Sequence, residues 1–274
     1  MTIDNLKGRV ALITGGREGM GRATARYLAE KLANVVIVSR NETELEKTAE
    51  EISHATKNPN VTAIAGDVAN TEDVRRVVES TLKAYGKIDY LFNFAGYNKD
   101  YGKISPARPT PEQISNLEKI IEVDLLGTAR MVYYIEPIMR NQNFGSIITI
   151  ASTPVLDTWE NDLLYQTAKV GNMKMTEVIA KQHKFDKIDS VKIYCVAPGN
   201  IFNRSTYESM DAEQRRVADT EGWLDSEEHV AKVMYWLVTG KLKRKDGQII
   251  RLDASTAPKI FKEAGEKYNK FIPQ

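Results

Sequence analysis

Seven short apolar runs, rich in β-branched residues, recur along this 274-residue chain with longer amphipathic stretches between them. The runs occupy residues 10–14, 35–39, 61–65, 88–94, 146–151, 191–196 and 248–252. Helical periodicity fills 43–53, 71–85 and the long stretch 112–140, broken only by Gly127 and Pro137. Strand-length and helix-length segments that alternate in this way build a parallel sheet covered by helices on both faces. Turn residues such as Asn58-Pro59-Asn60 and Gly86-Lys87 keep the connections short. No repeat, low-complexity tract or linker interrupts the pattern. The expectation is an α/β fold: one domain over 1–274, doubly wound, with a seven-stranded parallel sheet.

Composition narrows the partners. Lys and Arg number 38 against 37 Asp and Glu, a formal charge of +1, so nothing points to a nucleic-acid or anionic-membrane surface. Residues 1–7 are polar and lack the apolar centre of a signal peptide, and no apolar run is long enough to cross a bilayer. The single cysteine, Cys195, lies in a strand-like run and reads as core filling. His54, His183 and His229 are too scattered for a metal site. These features lead to the expectation of a soluble, cytoplasmic protein without metal.

The first run leads directly into Thr14-Gly-Gly-Arg-Glu-Gly-Met-Gly21, and a helical pattern follows at once. Gly15, Gly19 and Gly21 permit a tight turn, close approach of backbone to a diphosphate, and close helix–strand contact; Met20 lies in the same turn. A helix N-terminus at this point offers unpaired N–H groups and a favourable dipole to phosphate oxygens. A strand–glycine turn–helix sequence in an alternating chain is the setting for dinucleotide binding. Where a site for NAD would carry an acid, at the end of the second strand, this chain has Ser39-Arg40. Ser39 brings no carboxylate to repel a 2′-phosphate, and Arg40 can pair with that phosphate, with Arg17 as a second cation. NADP(H) is the expected cofactor.

A second constellation is Tyr165-Gln-Thr-Ala-Lys169, with Ser152 thirteen residues before the tyrosine. Residues four apart on a helix share a face, so the lysine ammonium can sit beside the phenol. A nearby cation favours the phenolate, which makes the tyrosine a usable acid or base near neutral pH. Ser152 ends the fifth apolar run, and ligands of open α/β sheets gather at the carboxyl ends of strands.

Taken together, these motifs resemble the short-chain dehydrogenase/reductase family over about residues 6–255. The resemblance is carried by Thr14–Gly21, by Asp67-Val68, by Asn93-Phe-Ala-Gly96, by Ser152 with Tyr165 and Lys169, and by Pro198-Gly199. It implies a Rossmann fold in which Asp67 and Val68 contact adenine, and Asn93, Ala95 and Gly96 line the cofactor channel. It also implies that Pro198 and Gly199 lie against the nicotinamide, with the Ile201 backbone holding the carboxamide. Tyr165 then donates or accepts the proton and Ser152 steadies the substrate oxygen. Lys169 both acidifies the tyrosine and binds the nicotinamide ribose. The chain departs from the family pattern at three places. Phe94 stands where a second Asn is usual, and Asn203 where a Thr is common. Asp124 takes the place of a fourth catalytic Asn, which in the family holds a proton-relay water largely through its backbone carbonyl; the substitution preserves that carbonyl, while an extra carboxylate near Lys169 can pull its charge away from Tyr165.

The expected activity is reversible hydride transfer between NADP(H) and a carbonyl or secondary alcohol, in the manner of a ketone or 3-oxoacyl reductase. An NAD-linked sugar or alcohol dehydrogenase and a non-catalytic NADP(H) sensor are the alternatives. Substrate walls are expected from Tyr97, Asn98, residues 153–156, Trp159 and the polar excursion 200–223. That excursion reads equally as a lid, with Met210, Val217 and Trp223 as contacts, or as a surface packed on another subunit. By family analogy the chain is a homotetramer or homodimer, and the tail 258–274 could reach a neighbour. The basic run 241–245 reads as a solvated turn.

Overall fold

The protein is described by a computed structural model, in which residues 5–97, 110–157, 163–201, 211–212, 215–216 and 224–269 are placed. The first half runs β1 (Val10–Thr14), α1 (Gly19–Glu30), β2 (Asn34–Ser39), α2 (Glu42–Thr56), β3 (Val61–Ala65), α3 (Thr71–Tyr85) and β4 (Tyr90–Asn93). Next come α4 (Pro111–Ile120), a π-helical segment (Ile121–Gly127), α5 (Thr128–Gln142), β5 (Gly145–Ile150), α6 (Pro154–Asp157), α7 (Leu163–Phe185) and β6 (Val191–Pro198). The remaining elements are β7 (Asn200–Ile201), β8 (Leu224–Asp225), α8 (Glu227–Val238), β9 (Ile249–Leu252) and α9 (Ala257–Glu263). Strand edges fall within about two residues of the apolar runs.

Seven strands form one sheet in the order β3-β2-β1-β4-β5-β6-β9, and every pair is parallel. This is the doubly wound, Rossmann-like sheet that the alternation predicts. Alternate residues of the central strands enter opposite cores. Ile13, Ile37, Phe92 and Val196 pack with α1, α8 and α9 on one face. Leu12, Val36, Leu91 and Ile193 pack with α3 and α5 on the other. Burial on both sides explains why the strands read as continuous apolar runs. Helix starts follow local rules: Asn41 accepts the Glu44 N–H, Asn70 those of Glu72 and Asp73, and Ser226 that of His229.

The chain order reverses between β1 and β4, so the crevice between their carboxyl ends is where a ligand belongs. The glycine turn follows β1, and Asn93–Gly96 follows β4. The ends of the polar excursion meet as β7 pairs in parallel with β8.

Of the two interruptions expected in 112–140, Gly127 coincides with a break, as the last residue of the π-helical segment, and Pro137 does not. Pro137 lies inside α5, which continues to Gln142. Gly127 serves close packing, since a Cβ there would fall 2.6 Å from Val68 Cγ2. The irregularity is the π-helical segment Ile121–Gly127, which carries Asp124 and ends at that glycine. The basic run 241–245 is a turn tied to the C-terminal segment, with Lys241 paired to Glu266 at 2.8 Å and Arg244 to Glu263 at 2.7 Å. Cys195 is fully buried, as expected of core filling. No described helix is long and apolar enough to cross a membrane, and the described residues contain no cluster of three metal-ligand side chains.

Candidate active site

The glycine turn is built against the β4 turn. Gly15 has φ +66°, and a Cβ on it would lie 2.7 Å from the Phe94 carbonyl carbon and 2.8 Å from the Ala95 nitrogen. A Cβ on Gly21 would sit 2.2 Å from the Gly15 carbonyl oxygen, so only glycine lets α1 start this close to β1. Thr14 fastens the two turns, its carbonyl taking the Phe94 N–H at 3.2 Å and its hydroxyl the Ala95 N–H at 3.2 Å. Glu18, at the N-cap of α1, gives no side-chain bond to the first turn, which leaves those N–H groups for an anion. Gly19 and Met20 are half-buried at this helix start.

At the end of β2, the Ser39 hydroxyl is buried without a hydrogen-bond partner, and Arg40 is exposed. Arg17 is not free: its guanidinium meets Glu18 at 2.5 Å, with both side chains open to solvent. Asp67 closes a turn by accepting the Ala69 N–H at 2.9 Å, and Val68 is buried. Asn93 donates weakly to the Ile148 carbonyl at 3.4 Å, and its Oδ1 is buried with no partner. A tight glycine cradle, an uncapped helix start and orphaned polar atoms at two strand ends fit a dinucleotide.

The second half of the site gathers on α7. This helix packs on β5 and β6, so its inner face meets the strand ends. Lys169 is buried, and its Nζ lies 5.5 Å from the centroid of the half-buried Tyr165 ring. The sequence expectation that this ammonium sits beside the phenol is met. Ser152, two residues beyond β5, is buried. The neighbouring turns are fixed by backbone: the Thr153 N–H donates to Pro198 at 2.8 Å and the Gly199 N–H to Leu252 at 2.7 Å. Ile201 continues into β7.

Asp124 joins the two halves. Its carboxylate is fully buried; Oδ1 accepts the Tyr97 N–H at 2.7 Å, and Oδ2 stands 2.9 Å from Lys169 Nζ. Oδ2 makes no directed hydrogen bond besides that ion pair. Burial alone would push the Lys169 ammonium down. The Asp124 carboxylate, followed by the Tyr165 phenol, outweighs it and holds the lysine above its ordinary range. Gly96 makes room for this contact, since a Cβ there would come 3.3 Å from Asp124 Oδ2.

The backbone carbonyl at 124, to which the resemblance assigns a relay water, is engaged within the protein. That oxygen already accepts from Asn172 Nδ2 at 3.0 Å and from the Thr128 hydroxyl at 2.9 Å, which occupies both lone pairs.

A family model described as short chain dehydrogenase matches residues 9–214. The chain belongs to this family. A short chain dehydrogenase/reductase of Aspergillus oryzae, astE, is 28% identical over 257 residues, covering 91% of this chain and 95% of the relative. The 3-oxoacyl-[acyl-carrier-protein] reductase FabG of Thermotoga maritima is 29% identical over 254 residues, covering 90% and 97%. Among solved structures, levodione reductase superposes with a TM-score of 0.80 at 25% identity, covering 92% of this chain and 99% of that one. The short-chain dehydrogenases are oxidoreductases that use a nicotinamide cofactor and small-molecule substrates, and the family assignment carries these coarse properties to this chain.

Two participants in this short-chain dehydrogenase site escaped the sequence reading. Asn172 bridges the Asp124 carbonyl to that of Ile150, the latter at 3.2 Å. Thr14 clips the two turns. Asn172 lies three residues after Lys169 and seven after Tyr165, so a polar residue on their helical face was the available signal. Tyr97, expected as a substrate wall, donates its hydroxyl to Asn116 at 3.1 Å and so leans on α4. Asn98, Trp159, Asn203, Met210, Val217 and Trp223 lie outside the described residues.

Proposed function

We propose that this protein is an NADP(H)-dependent oxidoreductase that interconverts a carbonyl and a secondary alcohol, with a ketone or 3-oxoacyl compound as the substrate class. The observation that carries the proposal is the position of Lys169 beside Tyr165 and within one ion pair of the turn that abuts the glycine cradle. Gly15, Gly19, Met20 and Gly21 would hold the diphosphate, while Ser39, Arg40 and Arg17 would face the 2′-phosphate. Asp67 and Val68 would take the adenine, and Asn93, Ala95, Gly96, Pro198, Gly199 and Ile201 the nicotinamide half. A bound nicotinamide supplies the hydride. Tyr165 gives its phenolic proton to the developing alkoxide while the Ser152 hydroxyl donates a hydrogen bond to the same oxygen. Donors aimed where charge develops contribute most to the rate. The unpartnered Ser39 hydroxyl, the buried Ser152 and the uncapped α1 start support this reading. FabG, named for reduction of a 3-oxoacyl group, supports the substrate class.

The test is NADPH oxidation with a panel of ketones, aldehydes and 3-oxoacyl thioesters. Tyr165→Phe is expected to lower turnover by about two orders of magnitude or more while NADPH affinity stays within about twofold. A variant as active as wild type would remove Tyr165 from the chemistry.

The same proposal treats the chain as one catalytic unit in the cytoplasm, assembled as a homodimer or homotetramer. Its support for assembly is an apolar stripe on the outer face of α7, where Leu163 is 67% and Phe185 83% exposed, with Val170 and Val178 between them. Leu126 and Tyr133 add apolar surface on the π turn and α5, which packs against α7. Sedimentation equilibrium reads the assembly directly, and a monomer at micromolar concentration would refute it.

A further inference from the structure

The ion pair under Tyr165 is the least ordinary feature of the site. Two charged side chains, 0% and 7% exposed, sit where a lysine and a neutral amide would be enough to keep the geometry. A buried lysine with no counter-charge sheds its proton, and measured cases titrate several pH units below the ordinary value. Lys169 has such a counter-charge 2.9 Å away. The carboxylate is held from its other side by the Tyr97 N–H at 2.7 Å, so it cannot swing off. The π-helical turn sets its direction, and Asn172 and Thr128 seal its carbonyl, which leaves only the side chain turned toward Lys169.

We propose that Asp124 is a positioning residue that keeps Lys169 charged and fixed beneath Tyr165, and that it does so through its carboxylate rather than through a water on its backbone carbonyl. The inference rests on the reading of Tyr165 and Lys169 given above. Among the described residues few other groups face the pair. The Cys195 thiol approaches Lys169 from β6; burial raises its pKa to about 11, so it stays neutral in the working range. Lys119 on α4 lies 6.0 Å from the Tyr97 ring centroid. Asp124 is thus the one negative charge recorded against Lys169 among the described residues at neutral pH.

The sign follows from the opposing effects on Lys169. Burial favours the neutral amine and Asp124 favours the ammonium, so removing the carboxylate must lower the pH at which the amine loses its proton. The measurement is an NMR titration of Lys169 in cofactor-free protein labelled with ¹³C-lysine, with Lys169→Arg assigning the signal. Wild type is expected to keep the ammonium through the ordinary lysine range, and Asp124→Asn to lose it at least about one pH unit earlier than wild type. Asp124→Asn preserves the Oδ1 acceptor for the Tyr97 N–H, so slow exchange of that amide should persist. A merely structural role would leave the titration unmoved. Asp124→Glu, which retains the charge, should titrate closer to wild type than to Asp124→Asn. Equal titrations in wild type and Asp124→Asn would overturn the proposal. If Asp124→Asn does not fold, wild type decides alone, and a Lys169 already neutral at pH 9 would overturn it. No cofactor or substrate enters the experiment, so its outcome is independent of the result with Tyr165→Phe.

Discussion

Replacing Lys169 with Met is the sharpest probe of how this site is held together. The substitution keeps a flexible chain of similar length in the core and deletes the one charge facing Asp124 among the described residues. At 2.9 Å the gross attraction is about 6 kcal/mol for an effective dielectric near 20. Much of that offsets the cost of taking both groups out of water, so the pair itself contributes little net stability. Removing one partner is different, because the desolvation cost of the other remains. Asp124 is fully buried, and the Tyr97 N–H is its remaining donor, so the expected loss is about 3–5 kcal/mol. For a chain of this size that corresponds to a drop in Tm of about 10 °C. Urea unfolding followed by tryptophan fluorescence, to which the buried Trp236 contributes, measures the loss directly. The double variant Lys169→Met/Asp124→Asn removes both charges and keeps an acceptor for Tyr97, so it should recover most of the stability. If the single variant lies within about 1 kcal/mol of wild type, or if the double variant is no better than the single, the carboxylate is not held as a buried charge and the reasoning fails.

Other predictions follow from the same contacts. Gly21→Ala places a Cβ 2.2 Å from the Gly15 carbonyl oxygen, and should cost about 1–3 kcal/mol of stability and at least about tenfold in NADPH affinity; calorimetric titration reads the second effect. Arg40→Ala should weaken NADPH binding about tenfold and leave NADH binding nearly unchanged, whereas equal wild-type affinities for the two cofactors would refute the NADP(H) assignment. Cys195, with its thiol raised to about 11 by burial, should be inert to a thiol reagent at pH 8 until the protein unfolds. Thiolate forms only as pH climbs toward that value, so rapid native-state labelling at pH 8 would contradict the packing around β6.

Most of the fold could be read directly from the amino acids. Parallel strands buried on both faces need unbroken apolar runs, and seven such runs are present. The runs extend past the ladder at some ends, which is why 88–94 shortened to Tyr90–Asn93. The glycine turn was equally legible, because positive φ and sub-van-der-Waals approach leave no other residue type at Gly15 and Gly21. The pairing of Tyr165 with Lys169 followed from helical spacing alone. The behaviour of residue 124 did not. One residue of extra winding leaves the hydrophobic pattern intact while it turns a carboxylate into the site, and periodicity cannot register that. Nor could it show that Asn172 and Thr128 would close the backbone carbonyl.

Local rules act between near neighbours, so the chain by itself determined its strands, its helix starts, the dinucleotide cradle and the shared face of Tyr165 and Lys169. Asp124 meets Lys169 from 45 residues away, and Asn172 meets the Asp124 carbonyl from 48. Contacts of that range exist only once α7 and the π turn are packed beside β5. Tertiary packing therefore decided which groups are buried, which charges face each other, and which polar atoms stay open to a ligand.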